Sequence, residues 1–147
     1  MKAFLEWRDD WFLGIGRIDQ QHLGLVDLVN RVATSLQDPR QPSANGSDSM
    51  DLMLKLQDQT RRHFRDEEAF MLEHDYPARV SHHREHALLQ AELQALIREI
   101  EEGIRELDLE TLKSLKHWLI DHVIDSDQAI ARYVEQRYRT SPDALRF

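Results

Sequence analysis

The feature that most limits the fold of this chain is the period of its apolar residues. Four segments place apolar side chains three or four positions apart, at about 19–36, 48–74, 77–102 and 108–137. This spacing is typical of amphipathic α-helices, each of which must bury one face. β-Branched residues never alternate over a useful length, so no part of the sequence indicates a strand. We therefore predict an all-α, up-down-up-down four-helix bundle.

The remaining segments have no helical period. Residues 1–18 are rich in aromatic residues and glycine, and we interpret them as an arm packed against the bundle. The arm contains Trp7, Trp11, Phe12, Gly14 and Gly16. Asp19 is predicted to cap the first helix, residues 38–47 to form a loop and residues 138–147 to form a tail. The whole chain, 1–147, is predicted to be a single domain with its bundle at 19–137.

Composition and charge exclude several classes of protein. The chain has no cysteine, which excludes disulfides, zinc–thiolate sites, iron–sulfur clusters and thiol catalysis. Its net charge of −8 argues against a nucleic-acid partner or an anionic membrane surface. No apolar signal segment begins the chain, and no stretch is long enough to span a bilayer. We expect a cytoplasmic protein that does not insert into membranes.

Five histidines and two carboxylates, distributed over the four predicted helices, are candidate ligands of one metal site. They are His22, His63, Glu67, His82, His86, His122 and Asp127. Because residues four apart share a helix face, His63 with Glu67 and His82 with His86 can each reach one small volume. Seven such ligands are too many for one tetrahedral zinc ion, but they suit two iron ions joined by both carboxylates and an oxo or hydroxo bridge. Five histidines divide as three and two, which leaves one metal position open.

Each pair of ligands taken alone is weak evidence for a metal. A histidine on an apolar stripe commonly packs in the core, and a His-x-x-x-Glu pair is often a surface ion pair. The full set is different, because burying five histidines and two acids without a metal would leave costly unsatisfied polar groups. We interpret the other three histidines as non-ligands, since His83 and His117 point away from the inward faces and His74 ends its helix.

The spacing of the last two ligands is irregular. Asp127 follows His122 by five residues, which is about 140° around an ideal helix. Both can serve one site only if Asp127 approaches obliquely or if the helix widens locally into a π-bulge.

The histidine-rich ligand set also indicates a type of chemistry. Di-iron bundles with four glutamates carry many anionic ligands, which favour high-valent iron and oxidative reactions. Here two carboxylates and a hydroxide contribute a charge of −3 against the +4 of two ferrous ions, and the other ligands are neutral imidazoles. Such a near-neutral, histidine-rich site should hold Fe(II) and release dioxygen again.

These motifs resemble the hemerythrin family, and the resemblance runs through nearly the whole chain. The matching stretches are Gly14-Ile-Gly-Arg-Ile-Asp-Gln-Gln-His22, His63-Phe-Arg-Asp-Glu-Glu-Ala-Phe-Met71, Tyr76-Pro77 followed by His82 and His86, and Trp118-Leu-Ile-Asp-His122 with Asp127. The resemblance implies that one iron is held by His82, His86 and His122, and the open one by His22 and His63. It implies that Glu67 and Asp127 bridge the two ions.

The resemblance further implies reversible binding of dioxygen rather than enzymatic activity, for oxygen storage, delivery or buffering. An oxygen-consuming enzyme is then a candidate recipient. It also suggests an apolar oxygen pocket formed by Leu119, Trp118, Leu23 and Phe64, for which ordinary core packing is an equal alternative. Oxygen or redox sensing, and di-iron oxidase-type activity, remain alternative functions.

Overall fold

Helices account for nearly all of the described backbone. The computed structural model describes residues 3–38 and 47–140. Its helices are α1 (Gly16–Leu36), α2 (Ser47–Glu73), α3 (Arg79–Glu101), α4 (Leu109–His117) and α5 (Asp125–Thr140). Within these residues there is no strand. The predicted all-α four-helix bundle is therefore confirmed.

The fourth member of the bundle is a composite rod. A π-helical segment, Trp118–Ile124, joins α4 to α5, and the residues at both junctions keep right-handed helical backbone angles. Helix α1 packs on α2 and on α4, and α2 packs on α3. None of the helices in the described ranges is long and apolar enough to cross a membrane.

The start of α1 differs from the prediction. The helix begins at Gly16, so Asp19 lies inside its first turn and does not cap it. The Asp19 carboxylate instead accepts hydrogen bonds from the backbone N–H groups of Leu13, at 2.8 Å, and Gly14, at 3.1 Å. The prediction of an Asp19 cap was wrong because the arm folds back over this turn and supplies nearer backbone donors.

The arm is packed on the bundle as predicted. Asn30 of α1 accepts a hydrogen bond from the Leu5 N–H at 2.7 Å and donates one to the Leu5 carbonyl at 2.9 Å. Leu5 and Trp11 are buried, and the Trp7 ring meets the Trp11 ring edge-on at 5.4 Å. These contacts hold the arm against α1 and bury part of it in the apolar core.

The other predicted boundaries are partly tested. Helix α5 extends to Thr140, so residues 138–140 are helical and not part of a tail. The rest of the predicted tail, and most of the predicted 38–47 loop, lie outside the described residues.

The apolar side chains form two clusters with a polar layer between them. The larger cluster joins the arm to the first four helices and the π-helical segment, and includes Leu25, Leu56, Leu93 and Leu119. The smaller one contains Met71, Ile130 and Val134. Glu67 of α2 and Asp127 of α5 lie between the two clusters in sequence, so these predicted ligands are flanked by apolar packing on both sides.

Candidate metal centre

Six of the seven predicted ligands are buried together. They are His22 of α1, His63 and Glu67 of α2, His82 and His86 of α3, and Asp127 of α5. None of the six exposes more than 7% of its surface. Burial of so many ionisable groups requires that they satisfy one another or hold a cation.

Asp127 faces two sets of histidines with different oxygen atoms. Its Oδ2 lies 2.7 Å from His22 Nε2 and 3.0 Å from His63 Nε2. Its Oδ1 lies 3.2 Å from His82 Nε2. The carboxylate is therefore shared between the α1–α2 side and the α3 side of the layer.

Glu67 repeats this arrangement. Its Oε1 lies 2.7 Å from His82 Nε2 and 3.0 Å from His86 Nε2, while its Oε2 lies 3.2 Å from His63 Nε2. Donor atoms consequently form two compact groups, in each of which all the atoms lie within 4.8 Å of one another. One group is His22, His63, Glu67 and Asp127, and the other is Glu67, His82, His86 and Asp127. Both carboxylates belong to both groups.

Without metal, the histidines and carboxylates of the cluster share protons through hydrogen bonds. Burial alone would lower the pKa of His63, but hydrogen bonds to Asp127 and Glu67 outweigh it and raise the pKa to about 10. The same balance raises the pKa of His82 to about 10. Burial alone would raise the pKa of Asp127, yet its hydrogen bonds to Glu67 and the surrounding histidines hold it well below the usual range.

The donor set fits two metal ions. Glu67 Oε2 is buried, and its 3.2 Å contact with His63 Nε2 lacks the geometry of a well-formed hydrogen bond, so a lone pair is available to bind a cation. All four clustered histidines direct Nε2 at the shared carboxylates. Cations placed between them would take over the role of the histidine protons, and imidazole with bridging carboxylate is a donor set that iron accepts.

The seventh predicted ligand, His122, is not brought to this cluster. Its side chain is exposed and lines a surface cleft with Leu93 and Trp118. The predicted π-type widening does occur, over Trp118–Ile124, and Asp127 beyond it is buried at the site. Each residue added to a turn rotates the following side chains by about 100°. Here that rotation directs Asp127 inward and leaves His122 on the outer face.

The four predicted pocket residues separate into two groups. Phe64 is buried and its ring stacks on the His86 imidazole, with centroids 3.9 Å apart. Leu119 and Trp118 are also buried. Leu23 is 38% exposed and does not belong to the buried apolar shell. Leu25, which the sequence reasoning missed, follows His22 by one turn and is fully buried.

A second missed residue contacts a ligand directly. His63 Nδ1 and Gln21 Oε1 are 2.8 Å apart, and Gln21 Nε2 donates to Asp66 Oδ2, also at 2.8 Å. Gln21 lies off the apolar stripe of its helix, so periodicity gave no signal. The signal that could have identified Gln21 in the sequence was its position directly before His22.

The other three histidines lie outside the cluster, as interpreted from the sequence. His83 is exposed and pairs with Glu68. His117 is exposed and lies 3.8 Å from Asp121. His74 Nδ1 lies within hydrogen-bond distance of the Tyr138 hydroxyl, at 2.9 Å.

Comparisons with known proteins give one consistent result. Residues 13–134 match the family model described as the hemerythrin HHE cation binding domain. A bacteriohemerythrin of Stenotrophomonas maltophilia is 31% identical over 133 residues, which cover 90% of this chain and 83% of that protein. A bacteriohemerythrin of Clostridium acetobutylicum is 24% identical over 123 residues, covering 83% and 95% respectively. The crystal structure of a wild-type hemerythrin superposes with a TM-score of 0.77 at 24% identity, over 88% of this chain and 97% of that one.

Proposed function

The chain belongs to the hemerythrin family, and on this premise we propose that it binds dioxygen reversibly at a centre of two non-haem iron ions. One observation carries the proposal: Glu67 and Asp127 each turn one oxygen toward the α1–α2 histidines and the other toward the α3 histidines. Two carboxylates shared in this way are what a pair of bridged metal ions requires.

The proposed ligand sets follow from this geometry. His22 and His63 would hold one iron, and His82 with His86 the other, with Glu67 and Asp127 bridging them. An oxo or hydroxo group would complete the bridge. A pair of ferrous ions held in this way would supply reversible electron donation to dioxygen.

The surroundings of the centre favour carriage over enzymatic oxidation. Four of the six clustered ligands are neutral imidazoles when metal-bound, so the ligand charge is low and ferrous iron is favoured. Phe64, Leu119 and Leu25 are buried in the apolar cluster beside the polar layer. Such packing excludes water, and we expect it to slow the oxidation of the ferrous ions that would end carriage. We propose storage, delivery or buffering of oxygen in the cytoplasm as the role.

Repeated oxygenation tests this proposal. Metal-free protein is loaded anaerobically with ferrous iron, exposed to oxygen and then purged, while the visible spectrum is recorded over several cycles. We expect a charge-transfer band that appears with oxygen and disappears on purging. One-way conversion to a diferric spectrum would favour oxidase or sensor chemistry instead, and binding of fewer than about two irons per chain would refute the di-iron centre.

His122 remains a proposed ligand on the evidence of its sequence motif. To reach the metal it would have to turn inward from the cleft, and the π-helical segment Trp118–Ile124 is where the backbone could rearrange. If His122 is a ligand, His122→Ala should weaken binding of one of the two ions by more than about 100-fold, because the loss of an outer partner of a ligand usually costs only about 10- to 100-fold. Iron titration measures this loss.

His117→Ala is the matched control for His122→Ala, since both side chains are exposed and line the same cleft. His117→Ala should bind both ions as the parent protein does. If His122→Ala also binds both ions normally, the centre is built from the six clustered ligands alone.

A further inference from the structure

His63 differs from two of its neighbours in the cluster. Among the described residues, the buried Nδ1 atoms of His22 and His86 have no hydrogen-bond partner, although Glu68 Oε2 lies 3.4 Å from His86 Nδ1. His63 Nδ1 instead lies 2.8 Å from the side-chain oxygen of Gln21. Histidine ligands are commonly oriented by a partner at the ring nitrogen that does not bind the metal, and His63 has one.

The direction of this hydrogen bond is set by Asp66. An ionised carboxylate can only accept, so the Gln21 nitrogen must face Asp66 Oδ2, 2.8 Å away. The Gln21 oxygen then faces His63, where it can only accept. His63 must therefore carry a proton on Nδ1, which leaves the lone pair of Nε2 available to a metal when Nε2 is deprotonated.

This chain of contacts ends at the protein surface. Asp66 keeps 27% of its side chain exposed, and its other oxygen, Oδ1, lies 3.9 Å from Arg65 Nε. Gln21 and Asp66 line a groove between α1 and α2 together with Arg17, Arg62 and Arg65. A surface carboxylate is thus connected to a buried ligand through two hydrogen bonds.

We propose that Gln21 and Asp66 are positioning residues that orient His63 and fix its Nδ1 as the protonated nitrogen, so that the α1–α2 metal position depends on a surface carboxylate. The inference rests on the proposed di-iron function only for its consequence, which is metal affinity. The hydrogen bonds themselves can be measured without metal.

The first test uses the metal-free protein and nuclear magnetic resonance. A ring N–H signal of His63 Nδ1 that exchanges slowly with solvent is expected in the parent chain, and it should be lost in Gln21→Leu. Gln20→Leu, which changes an exposed neighbour in the same groove, should retain it. Retention of the signal in Gln21→Leu overturns the inference, while failure of the parent chain to bind iron overturns only the proposed function.

The second test measures affinity for ferrous iron by anaerobic titration. Gln21→Leu should weaken the binding of one of the two ions by roughly 10- to 100-fold, which is the usual effect of removing such a hydrogen-bond partner. The other ion should be affected much less, and Gln20→Leu should bind both normally. Unchanged binding of both ions by Gln21→Leu would contradict the proposal.

Reversing the charge at position 66 distinguishes a hydrogen bond that orients His63 from simple packing. In Asp66→Lys the new side chain donates, so the Gln21 amide must turn its nitrogen toward His63 and oppose the required proton position. We expect the affinity for the ion that Gln21→Leu affects to fall at least about tenfold. The double variant Gln21→Glu with Asp66→Lys should recover an iron affinity within about threefold of the parent chain. The carboxylate introduced at position 21 can accept hydrogen bonds both from His63 Nδ1 and from the new amine at position 66. A double variant that binds no better than Asp66→Lys alone would show that these two hydrogen bonds do not orient His63.

Discussion

Asp127→Ala is expected to remove both metal ions, whereas His86→Ala should remove only one. The reason is the sharing of Asp127, whose Oδ2 faces His22 and His63 and whose Oδ1 faces His82. Loss of that carboxylate removes a ligand from both positions at once. His86 Nε2 approaches Glu67 Oε1, at 3.0 Å, on the α3 side.

Iron content after reconstitution and gel filtration measures the outcome. The parent chain should retain about two irons, Asp127→Ala close to none and His86→Ala about one. Asp125→Ala is the matched control, because Asp125 lies two residues away and is exposed. Circular dichroism checks that each variant is helical. If folded Asp127→Ala retained both irons, Asp127 could not be a bridging ligand.

The metal-free protein should lose stability as the pH rises above about 6.5. The pKa of His63 and that of His82 are raised from 6.5 to about 10 in the folded chain. The stability that these protonated histidines contribute is fully present below pH 6.5 and is lost as the pH rises through about 10. Both share the carboxylates of Glu67 and Asp127, so their contributions are not additive, and a total loss of roughly 3–5 kcal/mol is expected.

Urea denaturation at about pH 6, 8 and 9.5 in the presence of a chelator measures this loss. The pKa of Asp127 is shifted downward, so its contribution is lost only in acid, as the pH falls below its ordinary value of 3.8. Iron-loaded protein should behave in the opposite way, because metal binding displaces the histidine protons and strengthens as the pH rises. A metal-free chain that is equally stable at the lowest and the highest of these pH values would contradict the proposed proton network.

Most of the predicted site followed from the spacing of the histidines along the sequence. His63 with Glu67 and His82 with His86 are four residues apart, and a regular helix must place such pairs on one face whatever surrounds it. Both pairs lie in uninterrupted helices, and both reach the buried cluster. Where the helix is regular, the sequence was sufficient to predict which side chains meet.

The predictions were less successful where the backbone departs from a regular helix or where distant segments compete. Asp19 has the composition of a cap, but the folded arm presents its own N–H groups to that carboxylate. His122 lies within the π-helical segment Trp118–Ile124 and Asp127 lies beyond it, and residue type did not indicate which of the two side chains this segment would direct inward. Leu23 is apolar and adjoins a ligand in sequence, yet 38% of its surface stays exposed.

The sequence by itself determined that the chain forms four amphipathic helices and that imidazoles and carboxylates lie on their inward faces, because helical period is a local property. Only the tertiary structure decided which oxygen of each carboxylate faces which histidines, and that Gln21 and Asp66 connect His63 to the surface. These are distances of about 3 Å between atoms on different turns or different helices. They depend on how the helices are rotated and placed relative to one another, which no local pattern encodes.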